Sequence, residues 1–232
     1  MDTLSHRKRL LLQGNSDSNR GNPILALNPI AYFMNGTGIT VTGSGVSQWD
    51  DATGLGHHLL QGTDAARPAL QADGSILFNG TSHFLKTAAF TLNQPTTVVL
   101  VFKQVSWTGN DRVFDGVVDL SGVLYQGAAT PQLWLYAGTG VASNSNLSVG
   151  SVGVAQAVFS GAASLLQINN TTPTTGNAGA GNMGGFTLGA GGTAGTTFSH
   201  IQAYEAALFP SALSAADRAR VARYSMAKFG IP

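Results

Sequence analysis

The segment TTVVLVFKQV, residues 96–105, is informative about the fold class because it predicts a strand that is apolar on both faces. No polar residue interrupts it from Val98 to Phe102, which is typical of a strand in the middle of a sheet whose two faces are both covered. Similar short apolar runs recur from Leu27 to the C-terminus, and clusters of Gly, Asn, Pro and Thr separate them. This spacing favours a two-sheet sandwich or a barrel over alternating βαβ units.

The segment PQLWLYAG, residues 131–138, has a different pattern, because its positions alternate between two faces. Leu133 and Leu135 share one face of the predicted strand, and Trp134 and Tyr136 share the other. The segment therefore predicts a strand with two distinct faces, one of them lined by leucine.

The segment SILFNGTSHFLKT, residues 75–87, predicts a β-hairpin. Asn79–Gly80 is a dipeptide suited to a tight turn with positive φ, so we expect the strands before and after it to pair. Three more segments continue the β series: ASLLQINN (163–170), GGFTLGAGG (184–192) and TTFSHIQAYEAALF (196–209).

One helix is predicted near the C-terminus, over residues 214–229. Ser214 is a suitable N-cap, Asp217 stands at the positive end of the helix, and Gly230 is suited to end it. A stripe of side chains at helical spacing is expected to pack on the sandwich: Ala215, Ala219, Ala222, Met226 and Phe229.

The composition fits one domain of ordinary size that follows an N-terminal arm. The chain has 232 residues, of which 43% are hydrophobic and 10% charged, and it contains no cysteine, so disulfides and thiolate metal sites are excluded. We expect an extended basic and polar arm at residues 1–27 and a sandwich domain at residues 28–232. This sequence is compatible with a flexible tail and also with a segment that orders on a partner surface. The basic residues of the arm are Arg7, Lys8, Arg9 and Arg20.

Neither a membrane nor nucleic acid is expected as a partner. The basic cluster at residues 7–9 is followed by only three leucines, which is too short for the apolar core of a signal peptide. No apolar run in the chain is long enough to span a bilayer. The formal net charge of +1 gives no indication of nucleic-acid binding.

The carboxylates give little support for catalysis. Glu205 is the only glutamate, whereas glycosidases built on sandwiches need two carboxylates around the scissile bond. Asp111, Asp115 and Asp119 have the spacing of an acid pair or of ligands to a hard cation. Gly116 interrupts this run, so we interpret the three as surface carboxylates beside a turn. We predict no catalytic residue, no metal and no cofactor, although the aspartate spacing leaves a cation in this region open.

Three aromatic residues are candidates for contact with a glycan. Aromatic rings on an exposed sheet face or loop are suitable platforms for sugar rings, and Trp107, Trp134 and Tyr136 are the residues that we select. Packing in the core is the competing interpretation of each tryptophan.

The two ends of the domain resemble the concanavalin A-like, or laminin-G-like, jelly-roll modules of bacteriophage structural proteins. In that family a Trp-x-Asp-x-Ser/Thr-Gly-x-Gly turn precedes a strand, an Arg-Pro follows, and a Phe-Asp/Asn-Gly hairpin comes next. The family's closing pattern, a last strand that leads into a short helix, matches Leu208 to Ile231. The opening pattern matches Trp49, Asp51, Thr53, Gly54, Gly56, Arg67, Pro68, Phe78, Asn79 and Gly80.

The resemblance implies an all-β fold, in which two antiparallel sheets form a jelly-roll sandwich with an extended N-terminal arm and a short C-terminal helix. It also implies that Trp49, Asp51, Gly54 and Gly56 form a structural turn, in which the aspartate accepts backbone hydrogen bonds and the glycines supply positive φ.

The function that the resemblance implies is that of a non-enzymatic structural protein of a phage or phage-like virion. Such a protein would be assembled in the host cytoplasm and docked by its arm, as a capsid decoration protein or a head or tail fibre module. Its expected partners are other virion proteins, and a homo-oligomer is left open. The alternative is a lectin-like adhesion module that recognises host surface glycan, because such sandwiches also serve as sugar-binding modules.

Overall fold

The computed structural model describes residues 21–143 and 146–232. The basic residues predicted to dock the arm, Arg7, Lys8, Arg9 and Arg20, therefore lie outside the described residues. Residues 22–27, which the sequence assigns to the arm, include the buried side chains of Asn22 and Ile24.

Two antiparallel sheets form a sandwich, as predicted, with one long helix at the C-terminal end. The strands are β1 (Ala31–Phe33), β2 (Ile39–Thr42), β3 (Gly45–Trp49), β4 (Leu59–Leu60), β5 (Ala69–Leu70), β6 (Ile76–Leu77), β7 (Leu85–Lys86), β8 (Thr96–Gln104), β9 (Arg112–Asp115), β10 (Val123–Gln126), β11 (Leu133–Tyr136), β12 (Gly140–Ala142), β13 (Val152–Phe159), β14 (Ser164–Ile168), β15 (Thr174–Gly176), β16 (Thr187–Leu188) and β17 (Ile201–Phe209). The helix is α1 (Ala215–Phe229), and short 3-10 turns lie at Leu25–Leu27, Asp64–Ala66 and Gly161–Ala163.

The first sheet has eight strands in the order β15-β14-β13-β8-β17-β6-β5, and β1 also pairs with β17. The second sheet has nine strands in the order β12-β11-β10-β9-β16-β7-β4-β3-β2. The core between the sheets contains aromatic rings from both, among them Phe33, Phe102, Phe114 and Phe186.

The central position predicted for residues 96–105 is confirmed, because β8 lies between β13 and β17. Its side chains alternate between two apolar environments. Leu100 and Phe102 enter the core between the sheets, whereas Val99 and Val101 join a second apolar cluster that contains Val221 of α1. The first sheet is thus covered on both faces, which explains why β8 shows no polar alternation.

The helix has the predicted ends, and the predicted stripe is confirmed in part, because Ala222 is buried and Met226 and Phe229 pack against the second apolar cluster. The Ser214 hydroxyl accepts a hydrogen bond from the Asp217 N–H, and Gly230 ends the helix with φ of 63°. Ala215 is exposed, and the buried side chains of α1 are Arg218, Val221, Ala222 and Ser225. Arg218 was not expected there, but its stem is apolar and its guanidinium donates to the Leu213 carbonyl. Within the described residues, no helix is long and apolar enough to cross a membrane.

The hairpin predicted at Asn79–Gly80 is wrong, because β6 belongs to the first sheet and β7 to the second. The chain instead crosses from one sheet to the other here. The Asn79 side-chain oxygen accepts the N–H groups of residues 81–83, and Gly80 has φ of 72°. A dipeptide of this kind fixes a turn, but it does not fix which strands pair after the turn.

Candidate functional site

The outer face of the second sheet carries a row of side chains across β9, β10 and β11. In the pairing register, Tyr125 stands opposite Arg112 on one side and opposite Trp134 on the other, while Val123 stands opposite Tyr136. The neighbouring leucines of β11 are in the core, so Trp134 and Tyr136 face away from it. The Tyr125 and Trp134 ring centroids are 6.1 Å apart.

The Trp134 indole lies over two glycines. A Cβ atom added to Gly127 would come within 2.6 Å of the indole, and one added to Gly140 within 3.0 Å. The indole N–H donates a hydrogen bond of 3.0 Å to the Gln132 side chain. The ring is therefore held by its surroundings and partly exposed, which is the geometry of a platform rather than of a core residue.

A pocket of about 320 Å³ adjoins this row. Its volume falls at the lower end of the range for small-molecule sites, and it combines aromatic walls with a few polar groups. It is lined by Asn110, Arg112, Leu120, Val123, Tyr125, Tyr136 and Thr197. Burial raises the pKa of the Tyr125 hydroxyl, and its proximity to Tyr136 adds to the effect, so the hydroxyl stays protonated and can donate.

Asp115 anchors the loops beside the pocket, which corrects its interpretation as a surface carboxylate. The side chain is fully buried, and its oxygens accept backbone N–H groups from Gly116, Leu120 and Gly192 at 2.7, 2.9 and 3.1 Å. Further N–H groups come from residues 121 and 122. Burial raises the pKa of Asp115, although these hydrogen bonds act to lower it. Gly192, which donates one of these N–H groups, lies 77 residues later in the chain.

Two other charged side chains tie the same loops together. The Lys86 ammonium donates to the Val117 and Gly192 carbonyls at 2.9 and 2.6 Å. Asp119 accepts the N–H and the hydroxyl of Thr193, both at 2.9 Å. Although burial opposes the change, these bonds and the Arg112 charge lower the pKa of Asp119.

The three aspartates do not form the carboxylate cluster that their spacing suggested. Asp115 and Asp119 both accept from the Arg112 guanidinium, at 3.4 and 3.0 Å. Asp111 does not share this partner, and burial raises its pKa although a hydrogen bond from Thr108 acts to lower it. Across the described residues, no group of three or more His, Cys, Asp or Glu side chains is placed to hold a metal ion.

Of the three aromatic candidates, the structure brings two together. Trp134 and Tyr136 lie on the same face of β11, while Trp107 lies in the loop between β8 and β9. The sequence analysis missed Tyr125 and Arg112, which complete the row. The available signal was the alternation in VLYQ (123–126), which is too short to assign a face by itself.

The WDDATGLG segment (49–56) is a turn held by Asp51. Its carboxylate accepts the N–H groups of Tyr32, Thr53 and His57 at 3.0, 3.0 and 3.2 Å. Trp49 is fully buried, and Gly54 and Gly56 both have φ of 82°. The carboxylate is thus occupied by backbone donors.

Glu205 lies on the outer face of the first sheet, 1% exposed. Its carboxylate accepts from the Tyr32 hydroxyl and pairs with Lys228 of α1. Burial and the Glu205 charge raise the Tyr32 pKa above its ordinary value. This cluster connects the helix to the sheet.

No family model and no curated protein sequence matches the chain. Among solved structures, a Trypanosoma rangeli sialidase has a TM-score of 0.62 at 11% identity, over 83% of this chain and 32% of the sialidase. A GH54 α-L-arabinofuranosidase has a TM-score of 0.57 at 12% identity, over 84% of this chain and 58% of the enzyme.

A third match is to a single domain. Domain 4 of AbnA, a GH43 extracellular arabinanase from Geobacillus stearothermophilus in complex with arabinotriose, has a TM-score of 0.60 at 16% identity. The match covers 84% of this chain and 98% of that domain, whereas the chain spans about a third of the sialidases. At these identities the likeness shows the fold, a two-sheet sandwich that occurs in glycoside hydrolases.

These matches contradict the expectation of a non-enzymatic structural protein of a virion. The three matched structures described above are glycoside hydrolases or a domain of one, and none of the three links the chain to a phage. The same matches contradict the prediction that the protein is not an enzyme.

Proposed function

We propose that the chain contains a carbohydrate-binding domain of the kind found in glycoside hydrolases, and that it binds glycan on the outer face of β9, β10 and β11. The proposal rests on one observation above all. Trp134, Tyr125 and Tyr136 stand side by side on a sheet face next to a pocket with polar groups.

The arrangement suits a saccharide for two physical reasons. The C–H groups on one face of a sugar ring pack on aromatic rings, and such rings hold their positions at a low entropic cost. The hydroxyl groups at the edge of the sugar need hydrogen-bonding partners, which Arg112, Asn110 and the tyrosine hydroxyls can supply.

The choice of first ligand follows from the domain-scale match. Domain 4 of the arabinanase was solved with arabinotriose, and the match covers nearly all of that domain. Arabino-oligosaccharides are therefore the first saccharides to test, followed by xylo-, gluco- and galacto-oligosaccharides.

The test is isothermal titration of the full chain with arabinotriose and this panel. We expect Trp134→Ala and Tyr136→Ala each to weaken binding about tenfold or more, equivalent to about 1.4 kcal/mol of lost contact. Trp107→Ala is the matched control, because it removes an indole outside the row, and we expect it to keep the affinity. If the variants of the row bind like the unaltered chain while remaining folded, the proposed site is wrong.

The same samples allow an assay for released reducing sugar, because the structures that share the fold come from hydrolases. Release that depends on the Trp134 row would add hydrolysis to binding at this face. Release that survives both substitutions would place the chemistry elsewhere.

A further inference from the structure

The charges around Arg112 are relevant to the class of saccharide that would bind at the proposed site. Arg112 is the cationic side chain that lines the pocket, and 13% of its side chain is exposed. An unpaired arginine in such a place would favour an acidic sugar, because a carboxylate can accept two parallel N–H groups from a guanidinium.

The guanidinium is not unpaired. Its Nη1 atom donates to Asp119 at 3.0 Å and to Asp115 at 3.4 Å. Every hydrogen bond to the Asp115 oxygens comes from an N–H donor, which leaves no acceptor for a carboxyl proton and identifies the side chain as a carboxylate. The Lys86 ammonium binds the same loops. The positive charges of Arg112 and Lys86 and the negative charges of Asp115 and Asp119 therefore sum to zero at this wall of the pocket.

Arg112 still has donors to offer. Within residues 21–143 and 146–232, no acceptor bonds its Nε or Nη2 atoms, and these N–H groups point along one edge of the guanidinium. Two adjacent donors match two neighbouring hydroxyl oxygens of a sugar ring. The carboxylate of an acidic saccharide would instead lose its hydration beside a wall that has no net positive charge. This loss of hydration costs free energy that no ion pair offsets.

We infer that the pocket selects an uncharged saccharide with a vicinal diol, whose oxygens accept from Nε and Nη2 of Arg112 while its ring packs on Tyr125 and Tyr136. This inference rests on the proposed function and adds the class of ligand. It predicts that uronic and sialic acids bind poorly, although sialidases share the fold.

The experiment compares each saccharide that binds with the same saccharide after its primary hydroxyls are oxidised to carboxylates. Lactose and sialyllactose provide a second pair. Titration of the full chain is expected to give at least about tenfold weaker binding of the acidic member. The affinity for the neutral member is expected to be the same in about 50 mM and about 500 mM NaCl, because no charge pair forms.

Asp119→Asn is the diagnostic variant. It keeps the size of the side chain but removes one negative charge. We therefore expect it to raise the affinity for the acidic saccharide several-fold and to reduce the difference in affinity between the neutral and the acidic member of each pair. Arg220→Gln on the exposed side of α1 is a control for a charge change elsewhere, and it is expected to leave both affinities unchanged.

The possible outcomes separate the two proposals. Acidic saccharides that bind the unaltered chain as tightly as neutral ones, or more tightly, overturn the inference and leave the glycan-binding function standing. If no saccharide of either class binds at millimolar concentration, the proposed function fails and the inference fails with it.

Discussion

Asp115 illustrates how a single buried carboxylate can set the shape of a pocket. Its two oxygens accept N–H groups from two loops that are far apart in sequence, 116–122 and the one containing Gly192. Buried backbone donors without partners are costly, so these loops are held in one arrangement as long as the carboxylate is present. Two residues that line the pocket depend on these loops: Leu120 belongs to the first, and Thr197 follows the second.

Asp115→Asn is expected to lower the free energy of unfolding by about 2–4 kcal/mol, because an amide nitrogen would face N–H donors in a buried site. Urea denaturation followed by circular dichroism measures this. Asp111→Asn is the matched control, because that carboxyl is partly exposed and accepts none of these loop N–H groups. We expect it to lower the free energy of unfolding by less than about 1 kcal/mol. Equal costs for the two variants would contradict the anchoring role of Asp115.

The sequence was informative about single residues only where their partners are close in the chain. Most of the backbone donors to Asp51 lie within six residues of it, at Thr53 and His57, so the pattern of the turn indicates the arrangement. Asp115 receives an N–H from Gly192, and no local pattern contains that residue. Its burial was therefore missed, although its spacing from Asp111 and Asp119 had been noticed.

At the scale of elements, the helix is attached to the first sheet by a buried polar cluster as well as by apolar packing. The Glu205 carboxylate of β17 accepts from Tyr32 of β1 and pairs with Lys228 of α1. Tyr32 also accepts from Asn22 at 3.1 Å, which ties the residues before β1 to the same cluster. A charge in this position is tolerated because its partners surround it.

Lys228→Met should destabilise the domain by about 3 kcal/mol, because it leaves the Glu205 charge buried without its cationic partner. Chemical denaturation of the single variant and of the Glu205→Gln/Lys228→Met double variant tests this. The double variant is expected to recover at least half of the loss. If the single variant is as stable as the unaltered chain, the pair does not attach the helix.

Element prediction succeeded where the environment of a strand imposes a clear pattern. The uninterrupted apolar run of β8 reflects a strand that is covered on both faces, and the alternation of β11 reflects one covered and one open face. The capping residues of α1 mark the two ends of the helix. The strand β13 was not predicted, because VGVAQAVF contains small residues without alternation. Asn79–Gly80 was misassigned because a turn sequence does not specify whether the chain returns to the same sheet.

At the scale of the whole molecule, the two sheets have different exposure. The helix and the residues before β1 cover the outer face of the first sheet, whereas the outer face of the second sheet carries the Trp134 row and its pocket. The functional expectation drawn from the family resemblance was wrong because sandwiches of this kind serve many functions. The alternation of β11 placed Trp134 and Tyr136 on one face, but their alignment with Tyr125 and Arg112 was visible only once the register of β9, β10 and β11 was known.

The proposed binding of glycan on this open face can be measured directly, because the chain has three tryptophans. In a titration of the ¹⁵N-labelled chain with arabinotriose, followed by two-dimensional NMR, each indole N–H gives its own signal. We expect the Trp134 signal and the backbone signals of Asn110 and Leu120 to shift together, while the signal of Trp49, buried in the core, stays in place. Shifts confined to residues away from β9, β10 and β11, for example around Pro29 and Leu55 at a separate cavity, would contradict binding at this face.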